Sequence, residues 1–171
     1  MEQNPEHAFY PAMARFQRLY SKALSKRLDP HGVKPGYLEV FFRLWERDGI
    51  SQKRLHAQLD VEQATLSNTL KRMERDGFVK RTPNRKDRRQ SIIVLTETGS
   101  GLRKLVLAAV DDLQSIVNQG LTINDKRYFR RILKQMTEYL EDDIGDGALV
   151  LLDEVDSDDE SPLILTDKVM G

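Results

Sequence analysis

The chain has 171 residues, of which 39% are hydrophobic and 32% are charged, with 27 basic and 27 acidic side chains. That size suits one domain, or one domain with an extension. The absence of cysteine excludes disulfides, thiol redox sensing and cysteine-ligated zinc. No apolar run approaches the ~18 residues of a membrane span, and the first ten residues lack a secretory pattern, so we expect a cytoplasmic protein.

Charge is distributed unevenly along the chain. Residues 51–90 carry 11 Lys and Arg against 5 Asp and Glu, whereas residues 141–171 carry 11 acids against Lys168 alone. This pattern is typical of a protein in which a basic segment binds a polyanion and the acidic residues lie in a separate segment.

The N-terminal third predicts two helices separated by a break. Apolar residues recur at helical spacing, so we expect an amphipathic helix over about residues 6–28. The Asp-Pro-His-Gly sequence at 29–32 ends this helix. Pro35 suits the first turn of a second helix, which stops near Gly49.

The central third predicts two helices before a hairpin. Ser51 can cap a short helix that ends around Leu59. Asp60, with Gln63 three residues later, can cap the next helix. Gly77 stands where the end of that helix needs a left-handed residue.

The C-terminal third predicts two further helices. Thr96 can cap a long helix that runs to about Asn118. Thr122, with Asp125 three residues on, can open another helix that continues to about Asp142. The helices at both ends of the chain are too apolar for so small a fold to bury alone, so we expect them to pair with a second copy.

A hairpin rich in cations is predicted over residues 78–95. Two strand-like runs, Phe78–Thr82 and Ser91–Leu95, flank a turn. Against the single acid Asp87 stand six cations: Lys80, Arg81, Arg85, Lys86, Arg88 and Arg89. A hairpin with this many cations is unsuited to a hydrophobic core and is suited to binding in a groove of a nucleic acid. The alternative is a solvated hairpin whose cations aid solubility, and the helix pair before it favours the groove.

The helix before the hairpin is predicted to read base edges. Leu66, Leu70 and Met73 form its inward stripe. Its outward face combines small residues, polar residues and cations: Ala64, Thr65, Ser67, Asn68, Lys71, Arg72 and Arg75. A short helix followed by this one and by a two-stranded wing is the arrangement in which the second helix enters the major groove.

Individual roles follow from side-chain chemistry. Asn68 can make a bidentate contact to adenine, and Thr65 can contact a thymine methyl. Arg72 can reach a base or a phosphate, while Lys71 and Arg75 suit phosphates. The alternative for this set is that they are ordinary surface polar residues.

Four short motifs stand in order within residues 55–99. They are Thr-Leu-Ser at 65–67, Glu-Arg-Asp-Gly-Phe-Val-Lys-Arg at 74–81, Asp87-x-Arg89, and Leu95-Thr96-x-x-Gly99. In these residues the chain resembles the DNA-binding core of the multiple-antibiotic-resistance-regulator (MarR) family. The order of helices outside the core agrees over about residues 8–142.

The resemblance implies a homodimeric winged-helix regulator of bacteria or archaea, often a repressor released by a small anionic or phenolic ligand. It also implies that the wing arginine matching Arg89 reaches the minor groove, with Asp87 holding the turn and Arg85 and Arg88 able to share the task. The expected partners are double-stranded DNA, a second copy and a small-molecule effector.

Two features depart from the family pattern. The recognition helix often begins with Ser-Pro in the family, and this chain has Glu62-Gln63 there. The acidic segment 145–171 matches no family element. It is expected to be partly disordered, with folding onto the basic face or packing on a partner as alternatives.

The expected fold is mainly α with a small β wing. Residues 1–144 are predicted to form a winged-helix domain, followed by the acidic extension at 145–171. Within that domain we expect a DNA-binding core at 50–96 and dimerisation helices at 6–28 and 97–142.

An aromatic ligand pocket is a further hypothesis, implied by the resemblance. Its candidates are Tyr20, Tyr37, Phe41 and Trp45. Core packing is the favoured alternative for aromatic residues at helical spacing.

Other functional classes find less support. His7, His31 and His56 lack metal-ligand spacing, and no catalytic triad, phosphate loop or carboxylate pair stands out, so we expect no cofactor, metal or enzymatic activity. The competing class is a winged helix that docks on an acidic protein partner instead of DNA.

Overall fold

The computed structural model describes residues 8–84 and 91–145. Within these ranges the α-helices are α1 (Phe9–Leu28), α2 (Leu38–Glu46), α3 (Gln52–His56), α4 (Gln63–Arg75), α5 (Glu97–Gly101), α6 (Arg103–Val117) and α7 (Ile123–Gly145). Two short 3-10 helices, Asp29–His31 and Pro35–Tyr37, connect α1 to α2. The strands are β1 (Ile50–Ser51), β2 (Val79–Pro83) and β3 (Ser91–Leu95). The predicted class, mainly helical with a small β element, is confirmed.

The described residues divide into two compact units between Gln119 and Gly120. In the first unit, α1 packs on α6, and the central helices and the sheet surround one core. Its fully buried side chains include Leu28, Phe41, Leu44, Leu55, Leu66, Leu70, Met73, Ile93 and Val106. The described part of the second unit is dominated by α7.

The sheet has three antiparallel strands in the order β1-β3-β2. Ile50 of β1 pairs with Ile93 of β3, and Arg81 of β2 pairs with the same Ile93 from the other side. The sequence predicted only the β2–β3 hairpin. Strand β1 was missed because two residues are too few to display an alternating pattern. The Asp48 carboxylate supports this edge by accepting a hydrogen bond from the Leu95 N–H at 2.9 Å.

Local capping signals set several helix boundaries. Ser51 Oγ accepts a hydrogen bond from the Arg54 N–H, and Thr96 Oγ1 accepts one from the Gly99 N–H, so both predicted caps are confirmed. At α7 the Thr122 N–H donates to Asp125 Oδ2, and the Asp125 N–H donates back to Thr122 Oγ1. The hydrogen bonds from Thr122 hold the pKa of Asp125 below its usual range.

Several predicted boundaries were wrong. Helix α2 ends at Glu46 rather than near Asp48-Gly49, and α3 ends at His56 rather than near Leu59. The N-cap of α4 is Glu62 rather than Asp60, and no side-chain hydrogen bond caps it. The single helix predicted from Thr96 to Asn118 is divided into α5 and α6 at Leu102. Helix α7 continues to Gly145, beyond the predicted end near Asp142.

Within residues 8–84 and 91–145, none of the helices combines the length and apolar character that a membrane crossing requires. The acidic extension beyond Gly145 lies outside the described residues.

Candidate nucleic-acid interface

Helix α4 packs one face on the core and leaves the other to solvent. Leu66, Leu70 and Met73 are at most 1% exposed, which confirms the predicted inward stripe. The opposite face carries seven predicted site residues, all exposed except the half-buried Ser67: Ala64, Thr65, Ser67, Asn68, Lys71, Arg72 and Arg75. The helix therefore presents hydrogen-bonding and cationic groups on the side away from the core.

Three side chains join the end of α4 to the turn before α2. The Tyr37 hydroxyl donates to Asp76 Oδ2 at 2.7 Å, and the Arg75 Nε–H donates to Asp76 Oδ1 at 2.9 Å. The hydrogen bond from Arg75, with that from Tyr37, holds the pKa of Asp76 below its usual range. Burial, reinforced by Asp76, raises the pKa of Tyr37 to about 12. A buried tyrosine thus fixes the end of α4.

Arg81 at the base of the wing contacts α4. Its backbone N–H donates to Glu74 Oε1 at 3.3 Å, and its Nη2 donates to the carbonyl oxygen of Ser67 at 3.4 Å. Its Nε lies 3.5 Å from Glu74 Oε2, a charge contact rather than a hydrogen bond. The Arg81 side chain is only 25% exposed, so most of its surface faces protein.

The tip of the wing lies outside the described residues. The predicted contacts there are Arg85, Lys86, Asp87, Arg88 and Arg89. Of the six hairpin cations, the structure therefore places only Lys80, which is exposed, and Arg81.

A cleft opens between the turn before α2 and the outward side of α4. Its volume is about 430 Å³. The residues that line it are Lys34, Gly36, Tyr37, Thr69, Arg72 and Arg75. Three cations around one concave surface can hold a small anion, and Arg72 belongs both to this cleft and to the outward face of α4.

The four aromatic residues named as pocket candidates have different surroundings. Phe41 is fully buried, and its ring stacks on Trp45 with centroids 4.8 Å apart. The Trp45 Nε1–H donates to the carbonyl oxygen of Gly99 at 3.0 Å. The Tyr20 ring contacts the Phe16 ring. Of the four candidates, only Tyr37 lines the cleft described above. Core packing accounts for Phe41 and Trp45 because the α2 face that carries them meets the core.

Sequence reasoning missed three residues of this region. Lys34 stands in a loop without periodicity and makes a 2.8 Å ion pair with Asp29. Thr69 lies between the inward and outward faces of α4 and is half-buried. Glu74 belongs to the motif at 74–81, but its contact with Arg81 depends on how β2 folds back against α4. No local signal reveals that approach.

Among residues 8–84 and 91–145, no group of three or more His, Asp or Glu side chains is arranged to hold a metal ion.

A braced helix with a polar, cationic outer face, followed by an antiparallel hairpin, is a winged helix-turn-helix unit. A model of the MarR family matches residues 35–91. The HTH-type transcriptional regulator TtmR of Methylorubrum extorquens is 33% identical over 144 residues, which cover 83% of this chain and 70% of that relative. The chain therefore belongs to the MarR family of DNA-binding transcriptional regulators, which are not enzymes.

Other relatives and solved structures agree. The organic hydroperoxide resistance transcriptional regulator of Bacillus subtilis is 37% identical over 70 residues, 41% of this chain and 47% of that protein. The structure of reduced AbfR bound to DNA is 27% identical with a TM-score of 0.63, and covers 79% of this chain and 93% of that one. A MarR transcriptional regulator from Methanosarcina mazei has a TM-score of 0.67 at 24% identity, over 78% of this chain and 96% of that one, a likeness of fold.

Proposed function

We propose that this protein is a homodimeric repressor that binds a pseudo-palindromic operator in the cytoplasm of a bacterium or archaeon. The observation that carries the proposal is the exposed face of α4, where hydrogen-bonding and cationic side chains stand over a buried Leu66–Leu70–Met73 stripe. AbfR, whose chain is similar over most of its length, has been solved bound to DNA. Two copies of α4 would enter successive major grooves about one helical turn apart.

The roles proposed for the exposed side chains of α4 follow from the length of each side chain and from the hydrogen bonds that it can make. Asn68 pairs with an adenine edge and Thr65 contacts a thymine methyl, because both are exposed on the outward face. Lys71 contacts phosphates, and Arg75 does so from beside Asp76. Arg72 serves either a base or a phosphate.

The wing contributes a second contact. We propose that Arg89, held by Asp87, enters the minor groove, with Arg85, Lys86 and Arg88 near the flanking phosphates. Arg89→Ala is then expected to weaken operator binding without unfolding the protein.

Dimer formation would cover apolar surface at both ends of the described chain. On α1, Phe9, Met13 and Phe16 are 40–51% exposed. On α7 the exposed apolar residues are Tyr128, Phe129, Ile132, Leu133, Met136, Tyr139, Leu140 and Ile144. Exposed apolar side chains at helical spacing on each of these helices are typical of protein interfaces, and two-fold pairing suits a palindromic site. We retain the division into a winged-helix domain at 1–144 and an extension at 145–171.

The effector is proposed to be a small planar carboxylate that binds the cleft beside α4. Lys34, Arg72 and Arg75 supply positive charge, and Tyr37 and Thr69 supply a ring and a hydroxyl. A carboxylate paired with Arg72 would withdraw that guanidinium from DNA, which would lower operator affinity.

The competing function, docking on an acidic protein partner, is not favoured. A protein-docking helix would be expected to expose bulky apolar residues, and α4 instead exposes Thr65, Asn68 and Arg72.

Footprinting on the DNA that flanks its own gene tests the proposal. We expect two protected major-groove segments related by a two-fold axis, with protection reduced by aromatic carboxylates. The Lys34→Gln variant should keep the footprint and lose the response to the carboxylate. Absence of any protected segment would overturn operator binding, and an unchanged carboxylate response in Lys34→Gln would overturn the cleft as the effector site.

A further inference from the structure

Glu74, which contacts Arg81, is an acid at an unusual position. Glu74 lies on α4, three residues after Lys71 and one before Arg75, on a helix that otherwise offers cations to DNA. A free carboxylate there would repel phosphates. In the structure both carboxylate oxygens face Arg81, one toward its backbone N–H and one toward its guanidinium.

Arg81 extends this contact along the helix. Its Nη2 reaches the Ser67 carbonyl, seven positions before Glu74 and about two helical turns away. Its Cα is paired in register with Ile93 of β3, which is fully buried. One side chain thus lies along α4 while its backbone belongs to the wing.

We infer that Glu74 and Arg81 are positioning residues that fix the angle between the wing and α4. This rests on the proposed function, in which α4 occupies a major groove and the wing a neighbouring minor groove. Reading two grooves at once requires the two elements to keep a fixed spacing, since a small misplacement loses one of the contacts. Arg81 therefore acts through the wing and not by touching DNA.

The Glu74→Gln variant gives the sharpest test because charge and positioning predict opposite results. Removing a negative charge near DNA should by itself strengthen binding. Loss of the charge contact to the Arg81 guanidinium should instead weaken operator binding about fivefold. Hydroxyl-radical footprinting should show reduced wing protection in the minor groove while protection by α4 persists.

Arg81→Lys provides the second variant. Lysine keeps the charge, so a phosphate contact would survive, but it lacks the fork that reaches both Glu74 and the Ser67 carbonyl. We expect the same selective loss of wing protection. Glu62→Gln is the matched control, since Glu62 is an exposed acid at the start of α4 without a side-chain cap, and its removal should leave wing protection unchanged.

The outcomes separate the two claims. If the wild-type chain binds no DNA, the proposed function fails. If the wild type binds, and either Glu74→Gln or Arg81→Lys retains full affinity with an unchanged wing footprint, the positioning role is overturned. Melting temperatures within a few degrees of the wild type would show that a loss of binding is not a loss of folding.

Discussion

At the scale of single residues, Gly99 marks a close approach of two backbone segments. A Cβ built there would clash with the carbonyl oxygen of Phe78, and no rotation of a side chain can relieve that contact. The Thr96 hydroxyl donates to the Gly77 carbonyl at 2.7 Å, and the Trp45 indole donates to the Gly99 carbonyl. The start of α5 is thereby fixed against the base of the wing.

Gly99→Ala should therefore destabilise the fold. We expect a loss of about 1–3 kcal/mol in the free energy of unfolding, as for other overpacked sites, measured by urea denaturation. Gly101→Ala is the matched control, since no atom lies within 4 Å of a Cβ there and α5 ends at that residue. Equal stability of Gly99→Ala and Gly101→Ala would contradict the close approach.

The Tyr37–Asp76 hydrogen bond predicts a pH-dependent contribution to stability. Because the folded-state pKa of Asp76 is lowered, its contribution is present above the ordinary carboxyl pKa of about 4 and is lost as pH falls through the folded pKa. Tyr37→Phe should cost about 1–2 kcal/mol at pH 7. The difference from the wild type should shrink below pH ~4 in urea titrations.

Tyr10→Phe serves as the control, because Tyr10 is 79% exposed. It should leave stability unchanged at both pH values. A Tyr37→Phe deficit that is as large at pH 3 as at pH 7 would show that packing, and not the charged hydrogen bond, gives Tyr37 its effect.

At the scale of elements, the sequence predicts what is set locally and misses what is set by distant contacts. The caps at Ser51 and Thr96 and the left-handed Gly77, whose φ is 80°, depend on neighbours within a few residues, and they were predicted. Strand β1 exists only because β3 pairs with it. The division of the long helix at Leu102 accompanies the packing of Gly99 on Phe78, which is equally invisible in a helical pattern.

In the candidate site too, the sequence predicts the features that depend on neighbouring residues and misses those that depend on distant contacts. The outward face of α4 was predicted because it repeats at helical spacing. The orientation of Arg81 toward α4 was not, since its partners Glu74 and Ser67 come close only when β2 folds back. Phe41 was a pocket candidate and is fully buried in the core. The sequence could not distinguish the two uses, because the aromatic pattern of α2 is the same for a pocket and for a core.

The exposed face of α4 predicts a selective effect of Asn68→Ala. Loss of a bidentate contact to one base should cost about 1–3 kcal/mol of operator affinity and leave binding to unrelated duplex DNA nearly unchanged. Fluorescence anisotropy with both duplexes measures this. Asn118→Ala, at the end of α6, should change neither affinity. Equal losses on both duplexes would mean that Asn68 contacts the backbone and not a base.

At the scale of the whole molecule, binding to a pseudo-palindromic operator, as proposed, requires a dimer. Leu133 on α7 is 43% exposed in the single chain, so Leu133→Glu should leave the fold intact and place a charge in the proposed interface. We expect the wild type to have twice the mass of one chain in light scattering, and the variant to shift toward the monomer at micromolar concentration.

Arg127→Glu places an acid on the same helix, on the face that Arg127 shares with Arg130, Arg131 and Lys134, and should remain dimeric. A Leu133→Glu variant that dimerises as tightly as Arg127→Glu would place the interface elsewhere.

The salt dependence of operator affinity shows whether the basic surface of this chain binds the DNA backbone. If a dimer neutralises roughly 6–8 phosphates, the logarithm of the association constant should fall against the logarithm of salt concentration with a slope near −6. A slope of about −6 on the footprinted duplex is the predicted result. A slope close to zero would contradict it.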